Sequence, residues 1–302
     1  MTDIRNLGFG ILKHIPVMLE EVMTFLRCEP GRTYVDATLG GGGHASEILK
    51  RTAPDGMIIG IEWDEEAFSE AKNVLMSFGE RAKIYRENFI RLPELVKPDS
   101  VDGILLDLGL SSLQVDKEER GFSFKGDGPL DMRMDQRMDQ TAADLVNRLS
   151  LKELEDTLFH YGEERWSRKI AREIVREREQ EPIRTTQRLR RIVHRAIPKR
   201  FHSRRIDPAT KTFQALRIRV NDELENLTKI IETGWRPLKK GGRMCVISFH
   251  SLEDRIVKET FRKLEKDEEV RILTRKPVIP SEEERDRNPR SRSAKMRCGE
   301  RV

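Results

Sequence analysis

Short apolar runs alternate with amphipathic segments over the first third of the chain. The apolar runs have the length of buried strands, and the amphipathic segments have apolar residues at helical spacing. Strands that alternate with helices predict βαβ units and a mostly parallel sheet, which is an α/β fold. The predicted strands are residues 34–37, 57–63, 82–86 and 101–108, and the predicted helices are residues 14–26, 46–51 and 65–78.

The alternation stops between residues 141 and about 205, where each segment has a helical pattern and no strand is predicted. Ser150 is followed three residues later by Glu153, the pattern of a capping box at a helix start. The alternation of helices and strands resumes after the helical region. It is predicted to include a helix over residues 222–238, a turn at Gly241-Gly242 and a strand over 243–249. We therefore predict an all-helical domain inserted into an α/β domain. The predicted divisions are residues 1–130, 131–212 and 213–302.

The C-terminal part is predicted to complete the sheet. A helix over residues 253–266 is followed by strands over 270–275 and 294–298, which we expect to pair as an antiparallel hairpin. Residues 1–13 have too little pattern for an assignment. Clusters of glycine, proline and charge predict loops elsewhere. The predicted loops are residues 109–114, 121–135 and 282–293.

The composition narrows the class of protein only slightly. The 57 Lys and Arg against 52 Asp and Glu leave a net charge of +5, so the local distribution of charge matters more than the total. The three separated cysteines, Cys28, Cys245 and Cys298, predict neither a disulfide framework nor a zinc site. No apolar run approaches the ~20 residues of a membrane span, and no secretory signal is apparent. We expect a cytoplasmic protein with no membrane partner.

Four consecutive glycines, residues 40–43, follow the first predicted strand. Glycine has no Cβ, so such a turn can adopt positive φ and let a ligand lie against the backbone at a helix N-terminus. Gly40, Gly42 and Ala45 fit the dinucleotide pattern G-x-G-x-x-A, and His44 follows the turn closely enough to bond a ligand. The turn is predicted to be a nucleotide-type site.

Three carboxylates, Asp36, Glu62 and Asp107, are predicted at the carboxyl ends of three strands. These ends meet at one edge of a parallel sheet, where three negative charges would repel a pyrophosphate. They suit a ligand with a ribose and a cationic end, and S-adenosylmethionine has both. A dinucleotide cofactor stays an alternative through the glycine pattern alone. Each acid taken singly could also be a helix N-cap or a solvated strand end.

Asp107 is the acid best placed for chemistry, because reactants meet beyond the strand next to the cofactor strand. Methyl transfer needs in-line approach, so positioning supplies most of the acceleration. If the acceptor is an exocyclic amine, a proton must also leave, and Asp107 is the available acceptor. The alternative is that Asp107 only holds the ammonium of the cofactor or caps a turn. No metal site is predicted, because the six histidines are dispersed.

Residues 183–206 form a basic run, with nine Arg or Lys, no Asp or Glu, and His194, Phe201 and His202 interleaved. Such a run is typical of a surface that binds a phosphate backbone and stacks on bases. A solvated helix face is the alternative. The absence of compensating carboxylates in so acid-rich a chain favours nucleic acid.

Six different sequence motifs lie between about residue 14 and the C-terminus. They are residues 14–17, 36–44, 106–109 with Ser111, Ser112 and Gln114, 120–124, 127–134 and 248–254. Together they resemble the MraW family of small-subunit ribosomal RNA methyltransferases. The resemblance implies a Rossmann-like fold with a helical insertion. It also implies S-adenosylmethionine-dependent N4-methylation of one cytidine in the decoding region of 16S ribosomal RNA.

The resemblance further implies partners and site residues. The expected substrate is ribosomal RNA within an assembled or late-assembling small subunit, and a homodimer stays open. A non-enzymatic RNA-binding assembly factor on the same fold is the alternative class. The predicted catalytic residue is Asp107, on the chemical argument given above. The cofactor contacts would be Gly42, Gly43, His44, Glu62, Phe89, Asp107 and Gln114.

Two departures from known patterns stand out. Residue 62 is Glu where many members of the family have Asp, which lengthens the ribose-binding arm by a methylene. Amino-methylating DNA enzymes have a Pro-Pro-aromatic motif after the fourth strand, whereas residues 109–112 are Gly-Leu-Ser-Ser. The aromatic side chain that would stack on the target base is therefore unidentified, and Phe122, Phe124 and Phe249 are the candidates.

Overall fold

Seven strands form one sheet in the computed structural model, which describes residues 15–203 and 206–302. The sheet order is β3-β2-β1-β4-β5-β7-β6. Strands β1 to β5 pair in parallel, and β7 is antiparallel to both β5 and β6. The mostly parallel sheet and the C-terminal antiparallel hairpin are thus confirmed. The strands are β1 (Thr33–Asp36), β2 (Met57–Ile61), β3 (Ala82–Tyr85), β4 (Val101–Asp107), β5 (Leu238–Ser248), β6 (Val270–Ile272) and β7 (Lys295–Arg301).

Helices follow the amphipathic segments closely. The Ser150 hydroxyl accepts from the Glu153 amide at 3.3 Å, and the Glu153 carboxylate accepts from the Ser150 amide at 2.8 Å, so the predicted capping box is formed. The helices are α1 (Leu19–Leu26), α2 (Gly43–Arg51), α3 (Glu65–Leu75), α4 (Leu92–Leu95), α5 (Ser112–Asp116), α6 (Ala142–Arg148), α7 (Leu151–Gly162), α8 (Ser167–Gln180), α9 (Thr186–Ala196), α10 (Thr210–Val220), α11 (Glu223–Thr233), α12 (Ser251–Lys266) and α13 (Glu282–Arg287).

Both faces of the sheet are covered. Tyr34 and Val35 are neighbours in β1 and point to opposite faces, yet both are fully buried. Tyr34 belongs to the core formed with α1, α2 and α3, whereas Val35 belongs to the core formed with α11 and α12. Burial on both faces explains why the central strands are continuous apolar runs.

The segment between β4 and β5 contains α5 to α11 and, within the described residues, no strand. Helices α6 to α10 of this segment have a hydrophobic core of their own, with members from Phe122 to Val220, whereas α11 packs on the sheet. This core includes Phe122, Leu130 and Met132 from the loop before α6, and Phe213 from α10. The domain divisions at residues 131 and 212 stay a prediction, since this core has members on both sides of each.

Three predictions of irregular structure are wrong. Residues 112–116 form α5 because the Ser111 hydroxyl and the Gln114 side chain make a capping box. Residues 282–293 form α13 and a 3₁₀ turn because Ser281 caps the helix and the Glu284 carboxylate accepts from the Met18 amide at 2.7 Å. Gly241 and Gly242 lie within β5, where the pairing with β4 is irregular. The prediction for residues 1–13 lies outside the described residues.

Candidate cofactor-binding and catalytic site

The four glycines connect β1 to α2 and are bonded to the neighbouring strand β2. The Leu39 amide donates to the Ile61 carbonyl at 3.0 Å, and the Gly40 amide donates to Glu62 Oε2 at 2.8 Å. Gly40 and Gly42 have φ of 52° and 83°, and Gly42 is the N-cap of α2. The turn therefore needs glycine at these two positions for its backbone conformation.

The neighbours of the four glycines differ. A Cβ would lie 3.4 Å from Ala71 on Gly42, 2.7 Å from Pro16 on Gly43, and 3.1 Å from Glu70 on Gly41. Among the described residues, a Cβ on Gly40 would come within 4 Å of the Thr38 carbonyl alone, at 4.0 Å. Packing against protein thus accounts for three of the glycines, whereas Gly40 meets no other described atom at that distance. Of the four, Gly40 has the geometry expected for close approach of a ligand, and contacts from Gly42 and Gly43 stay predictions.

We expect Gly40→Ala to weaken S-adenosylmethionine binding by roughly tenfold or more, because its methyl group enters the ligand space and overpacking costs about 1–3 kcal/mol. Gly241→Ala is the matched control: it has the same positive-φ penalty of about 1–2 kcal/mol, but Gly241 lies near the beginning of β5, at the other end of the parallel strands. Calorimetric titration measures affinity, and thermal unfolding measures stability. Wild-type affinity in folded Gly40→Ala would show that the ligand does not lie on this turn.

The three predicted acids end adjacent strands or follow them closely. Asp36 ends β1, Asp107 ends β4, and Glu62 follows β2. Burial, with the charges of Asp107 and Glu62, raises the pKa of Asp36 to about 8. Burial raises the pKa of Glu62 to about 7, and burial with the charge of Glu253 raises that of Asp107 to about 7. Asp36 therefore lies close to both Asp107 and Glu62, as expected for neighbouring strand ends, and we call the space at these ends the crevice.

We expect S-adenosylmethionine binding to release protons near neutral pH. A cationic ligand favours the ionised form of each acid, so their pKa values should fall when it binds. Affinity should then rise with pH through about 7 to 8, the range in which the free acids ionise. Titration calorimetry in buffers of different ionisation enthalpy counts the released protons. Proton uptake, or no exchange, would contradict a cationic ligand beside these acids.

The same pKa values determine how the acids affect stability. Each acid binds a proton more tightly in the folded chain than in the unfolded chain. Its stabilising contribution is therefore complete below the unfolded pKa, about 4, and is lost as pH rises through about 7 to 8.

The two carboxylate oxygens of Asp107 differ in their surroundings. Its amide donates to the Thr38 hydroxyl at 2.6 Å, and Oδ2 lies 3.7 Å from His44 Nδ1. His44 Nε2 is 3.0 Å from the Val17 carbonyl, which can only accept, so this nitrogen donates. Asp107 Oδ1 is buried and has no hydrogen-bond partner within the described part of the chain. Such atoms are rare, and a donor on a ligand, either an ammonium or an amine, would complete this one.

Glu62 and Gln114 bond to protein groups. Glu62 Oε1 accepts from the Asp64 amide at 2.8 Å, while Oε2 holds Gly40. Gln114 Nε2 donates to Asp64 Oδ2 at 3.0 Å, and its Oε1 accepts from the Ser111 amide. A carboxylate oxygen accepts more than one bond, so a ribose contact from Glu62 is compatible with this geometry. Cofactor contacts from both residues stay predictions.

Phe89 follows β3, in a 3₁₀ turn capped by Asn88. Its ring centroid is 6.3 Å from that of Trp63, which follows Glu62. Both rings are partly buried. They offer apolar surface beside the crevice, as a purine would need, and the cofactor contact of Phe89 stays a prediction.

The sequence did not indicate the ion pair that supports this side of the crevice. Asp64 caps α3 and accepts from Arg120 at 2.7 Å, with both side chains almost fully buried. Arg120 also donates to the carbonyls of Arg133 and Met134. This network connects α3 to the loop that leads into the helical insertion. Asp64 could be recognised as an N-cap residue before an amphipathic helix, but its partner 56 positions away could not.

A second unpredicted cluster lies at the end of β5. Glu253 Oε2 accepts from the amides of Phe249 and His250 at 2.7 and 3.1 Å. Glu223, His250 and Glu253 have ligand-type atoms within 4.8 Å of one another, and Arg217 binds both oxygens of Glu223 at 2.8 Å. The guanidinium compensates the charge of the cluster. The absence of a bound metal stays a prediction.

The basic run is better compensated than the sequence indicates, because its acidic partners lie outside residues 183–206. Arg190 and His194 contact Asp207 at 2.7 and 2.8 Å, and Arg195 contacts Glu177 at 2.7 Å. The premise of an uncompensated run is therefore wrong for these residues.

Other cations of the run stay available. Arg191, Lys199 and Arg200 are exposed and form no ion pair with any residue that the structure describes. Arg200 lies 5.0 Å from the ring of Phe201, which is 40% exposed and packs beside Trp166 at 5.1 Å. Exposed cations beside an exposed aromatic ring suit an RNA strand. The arginines at positions 204 and 205 lie outside the described residues.

None of the helices in the described ranges combines the length and the apolar character that crossing a membrane requires. Cytoplasmic localisation stays a prediction.

Comparison with known proteins identifies the family. The model of the MraW methylase family matches residues 11–302. The chain belongs to the MraW methylase family. It is 52% identical over 292 residues to a protein of Desulfotalea psychrophila named ribosomal RNA small subunit methyltransferase H, covering 96% of this chain and 98% of that protein. A protein of Syntrophobacter fumaroxidans with the same name is 49% identical over 307 residues, covering 96% of each.

Membership in the MraW methylase family supports S-adenosylmethionine, which the sequence predicts, as the cofactor. A methylase family gives no support to the alternative of a dinucleotide-dependent oxidoreductase. Among solved structures, a SAM-dependent methyltransferase from Aquifex aeolicus is 11% identical with a TM-score of 0.43, covering 95% of this chain and 90% of that one. At this TM-score the likeness carries no argument.

Proposed function

We propose that this protein transfers a methyl group from S-adenosylmethionine to N4 of one cytidine in the decoding region of small-subunit ribosomal RNA. The relatives named above support a small-subunit ribosomal RNA substrate, and the chain covers nearly their whole length. The observation that carries N4 as the acceptor is the unpartnered, buried Oδ1 of Asp107 beside the cofactor turn. An exocyclic amine can donate to that oxygen, and it must lose a proton during the transfer.

The residues around the crevice suit this chemistry. When bound, S-adenosylmethionine supplies a methyl group whose bond to sulfur breaks as the acceptor nitrogen attacks. Asp107 Oδ1 accepts a hydrogen bond from the target amine, orients it, and takes its proton. Burial raises the pKa of Asp107 to about 7, which makes its carboxylate a stronger base than an ordinary aspartate while it is still substantially ionised at neutral pH. The Thr38 hydroxyl accepts from the Asp107 amide and fixes the backbone there, and His44 Nδ1 lies 3.7 Å from Oδ2.

The helical insertion, residues 131–212 in the predicted division, is proposed to bind RNA away from the crevice. The acidic crevice repels phosphates, so contacts that offset the cost of unstacking a base, a few kcal/mol, must lie elsewhere. Arg191, Lys199, Arg200 and the ring of Phe201 provide an exposed surface of this kind. A structured site in RNA also favours an assembled or late-assembling subunit as the substrate.

Methyl incorporation tests the proposed function. Small subunits from a strain lacking this protein are incubated with labelled S-adenosylmethionine, and the nucleosides are then analysed by mass spectrometry. We expect one N4-methylated cytidine in the decoding region. Subunits from the parent strain are the control, since their site is already modified and should incorporate no label. Label on ribose or on a carbon atom, or no label at all, would overturn the proposal.

A further inference from the structure

The three phenylalanines that are candidates for stacking on the target base have different environments in the structure. Phe122 is 9% exposed and belongs to the core of the helical insertion. Phe124 packs edge-on against Phe213, with ring centroids 4.8 Å apart. Phe249 is also partly buried against a core, but it follows β5, at the edge of the sheet where the crevice lies. Only Phe249 of the three stands next to the end of β4.

The contacts of Phe249 place it beside Asp107. Asp107 pairs with Ile247 across β4 and β5, and the Leu108 amide donates to the Ile247 carbonyl at 3.0 Å. A Cβ on Gly109 would lie 2.9 Å from Phe249 Cε2, so the ring lies against the segment that follows Asp107. The Gly-Leu-Ser-Ser segment that follows β4 has no aromatic residue of its own. Strand β5 thus supplies an aromatic ring beside that segment.

A cavity of about 420 Å³ opens beside this ring. Its volume lies within the range of about 300–1,000 Å³ of small-ligand pockets. Phe249 and Ile279 provide apolar lining, and Ile279 is 55% exposed although it is a large apolar residue. Apolar and aromatic lining at the open side of a cavity suits the face of a base.

Three of the ten lining residues are cationic. The residues around the cavity include Arg285, Arg292 and Lys295 and no Asp or Glu. Arg292 is exposed and has no hydrogen bond or ion pair with any described residue. Arg285 donates to the Pro280 carbonyl, and Lys295 lies 3.4 Å from Asp254, an acid that Arg297 contacts more closely at 2.7 Å.

Acids bond to groups around the cavity without lining it. Glu284 accepts from the Met18 amide, Glu253 accepts from two backbone amides at the end of β5, and Glu163 accepts from the Ser251 hydroxyl. The lining itself carries three cations and no acid. This charge distribution suits a nucleotide whose base points toward Asp107 and whose phosphates stay outside.

We propose that this cavity is the acceptor subsite, in which Phe249 stacks on the target cytosine while Arg285, Arg292 and Lys295 bind the phosphates of the flanking RNA strand. This inference rests on the proposed function and adds the residues that hold the acceptor. The protein would then have two RNA-binding surfaces, one beside the reacting base and one on the helical insertion.

Substitution of Phe249 tests the stacking. We expect Phe249→Leu, which keeps an apolar side chain without an aromatic face, to lower kcat/KM for ribosomal RNA by about ten- to a hundredfold, as expected for loss of one base–aromatic stack. Phe249→Tyr should restore most of the activity. The Kd for S-adenosylmethionine should be unchanged in both variants, and thermal unfolding shows whether each is folded. Equal losses of kcat/KM in Phe249→Leu and Phe249→Tyr would show that Phe249 has a packing role and would overturn the proposed stacking.

Paired substitution of cations tests the phosphate contacts. Arg292→Ser with Lys295→Ser should raise KM for RNA and lower the slope of log affinity against log salt by about 1.4–1.8, since each phosphate that a cation neutralises contributes about 0.7–0.9 to the slope. Arg262→Ser is the matched control, since Arg262 is an exposed arginine on α12 that does not line the cavity. A wild-type slope in the double variant would overturn the phosphate contacts.

The binding of oligocytidylate to the protein with S-adenosylhomocysteine distinguishes this inference from the proposed function. If the wild type methylates ribosomal RNA but the Phe249 and Arg292 variants match it, the acceptor subsite is wrong and the proposed function stands. If the wild type binds oligocytidylate through Phe249 and Arg292 without methylating ribosomal RNA, the proposed function is wrong and the subsite stands. If the wild type neither binds nor methylates, both are wrong.

Discussion

Asp107→Asn is expected to lower kcat for methyl transfer by about two to four orders of magnitude, the usual contribution of a positioned general base. The amide keeps the shape of the side chain but cannot take a proton from the target amine. The wild-type rate should rise with pH and level off below about 7, because burial and Glu253 raise the pKa of Asp107 to that value in the free protein, the bound cationic cofactor lowers it again, and only the ionised form accepts the proton. The variant should lack this rising limb. Single-turnover kinetics over a pH series measure both effects.

The same variant distinguishes the two roles that the sequence leaves open for Asp107. If the carboxylate only holds the ammonium of the cofactor, Kd for S-adenosylmethionine should rise while kcat at saturating cofactor is retained. Asp102→Asn is the matched control, because Asp102 is an acid at the opposite end of β4 that bonds to Thr33 and Lys239. It should change stability and leave kcat unaffected. An unaltered rate in Asp107→Asn would reduce Asp107 to a structural role.

Replacing Arg191, Lys199 and Arg200 with Ser should weaken RNA binding and reduce its salt slope by about two to three, because each phosphate that is no longer neutralised removes about 0.7–0.9 from the slope. These cations are exposed and form no ion pair within the described ranges, so they can neutralise phosphates. The affinity for S-adenosylmethionine should stay nearly unchanged, since the cofactor turn belongs to the sheet domain. Filter binding over a salt series measures the RNA slope, and calorimetry measures the cofactor.

Arg190→Ser provides the control within the same helix. Arg190 belongs to the same basic run but bonds to Asp207 through two nitrogens, at 2.9 and 2.7 Å. Its loss should lower the stability of the helical insertion and leave the salt slope close to that of the wild type. If the triple variant also keeps the wild-type slope, the run is a solvated face and RNA is bound elsewhere.

The sequence by itself determined the elements and the ends of strands. Apolar periodicity and capping residues depend on neighbours within a few positions, so β1 and β4 were predicted to within one residue. The placement of Asp36, Glu62 and Asp107 at one edge followed from the same pattern, because parallel strands end together. Residues 112–116 were misjudged because small polar residues are typical of loops, whereas Ser111 and Gln114 cap a helix there.

Only the tertiary structure decided which side chains meet. Glu62 holds Gly40, Arg120 reaches Asp64, Phe249 lies against Gly109, and Asp207 pairs with Arg190. Three of these four contacts join residues 22, 56 and 17 positions apart, and the Phe249 contact joins two different strand ends. Contacts of this kind depend on how strands and helices pack, and periodicity along the chain carries no information about them. The chemistry of single residues could therefore be predicted, whereas the partners that orient and compensate them could not.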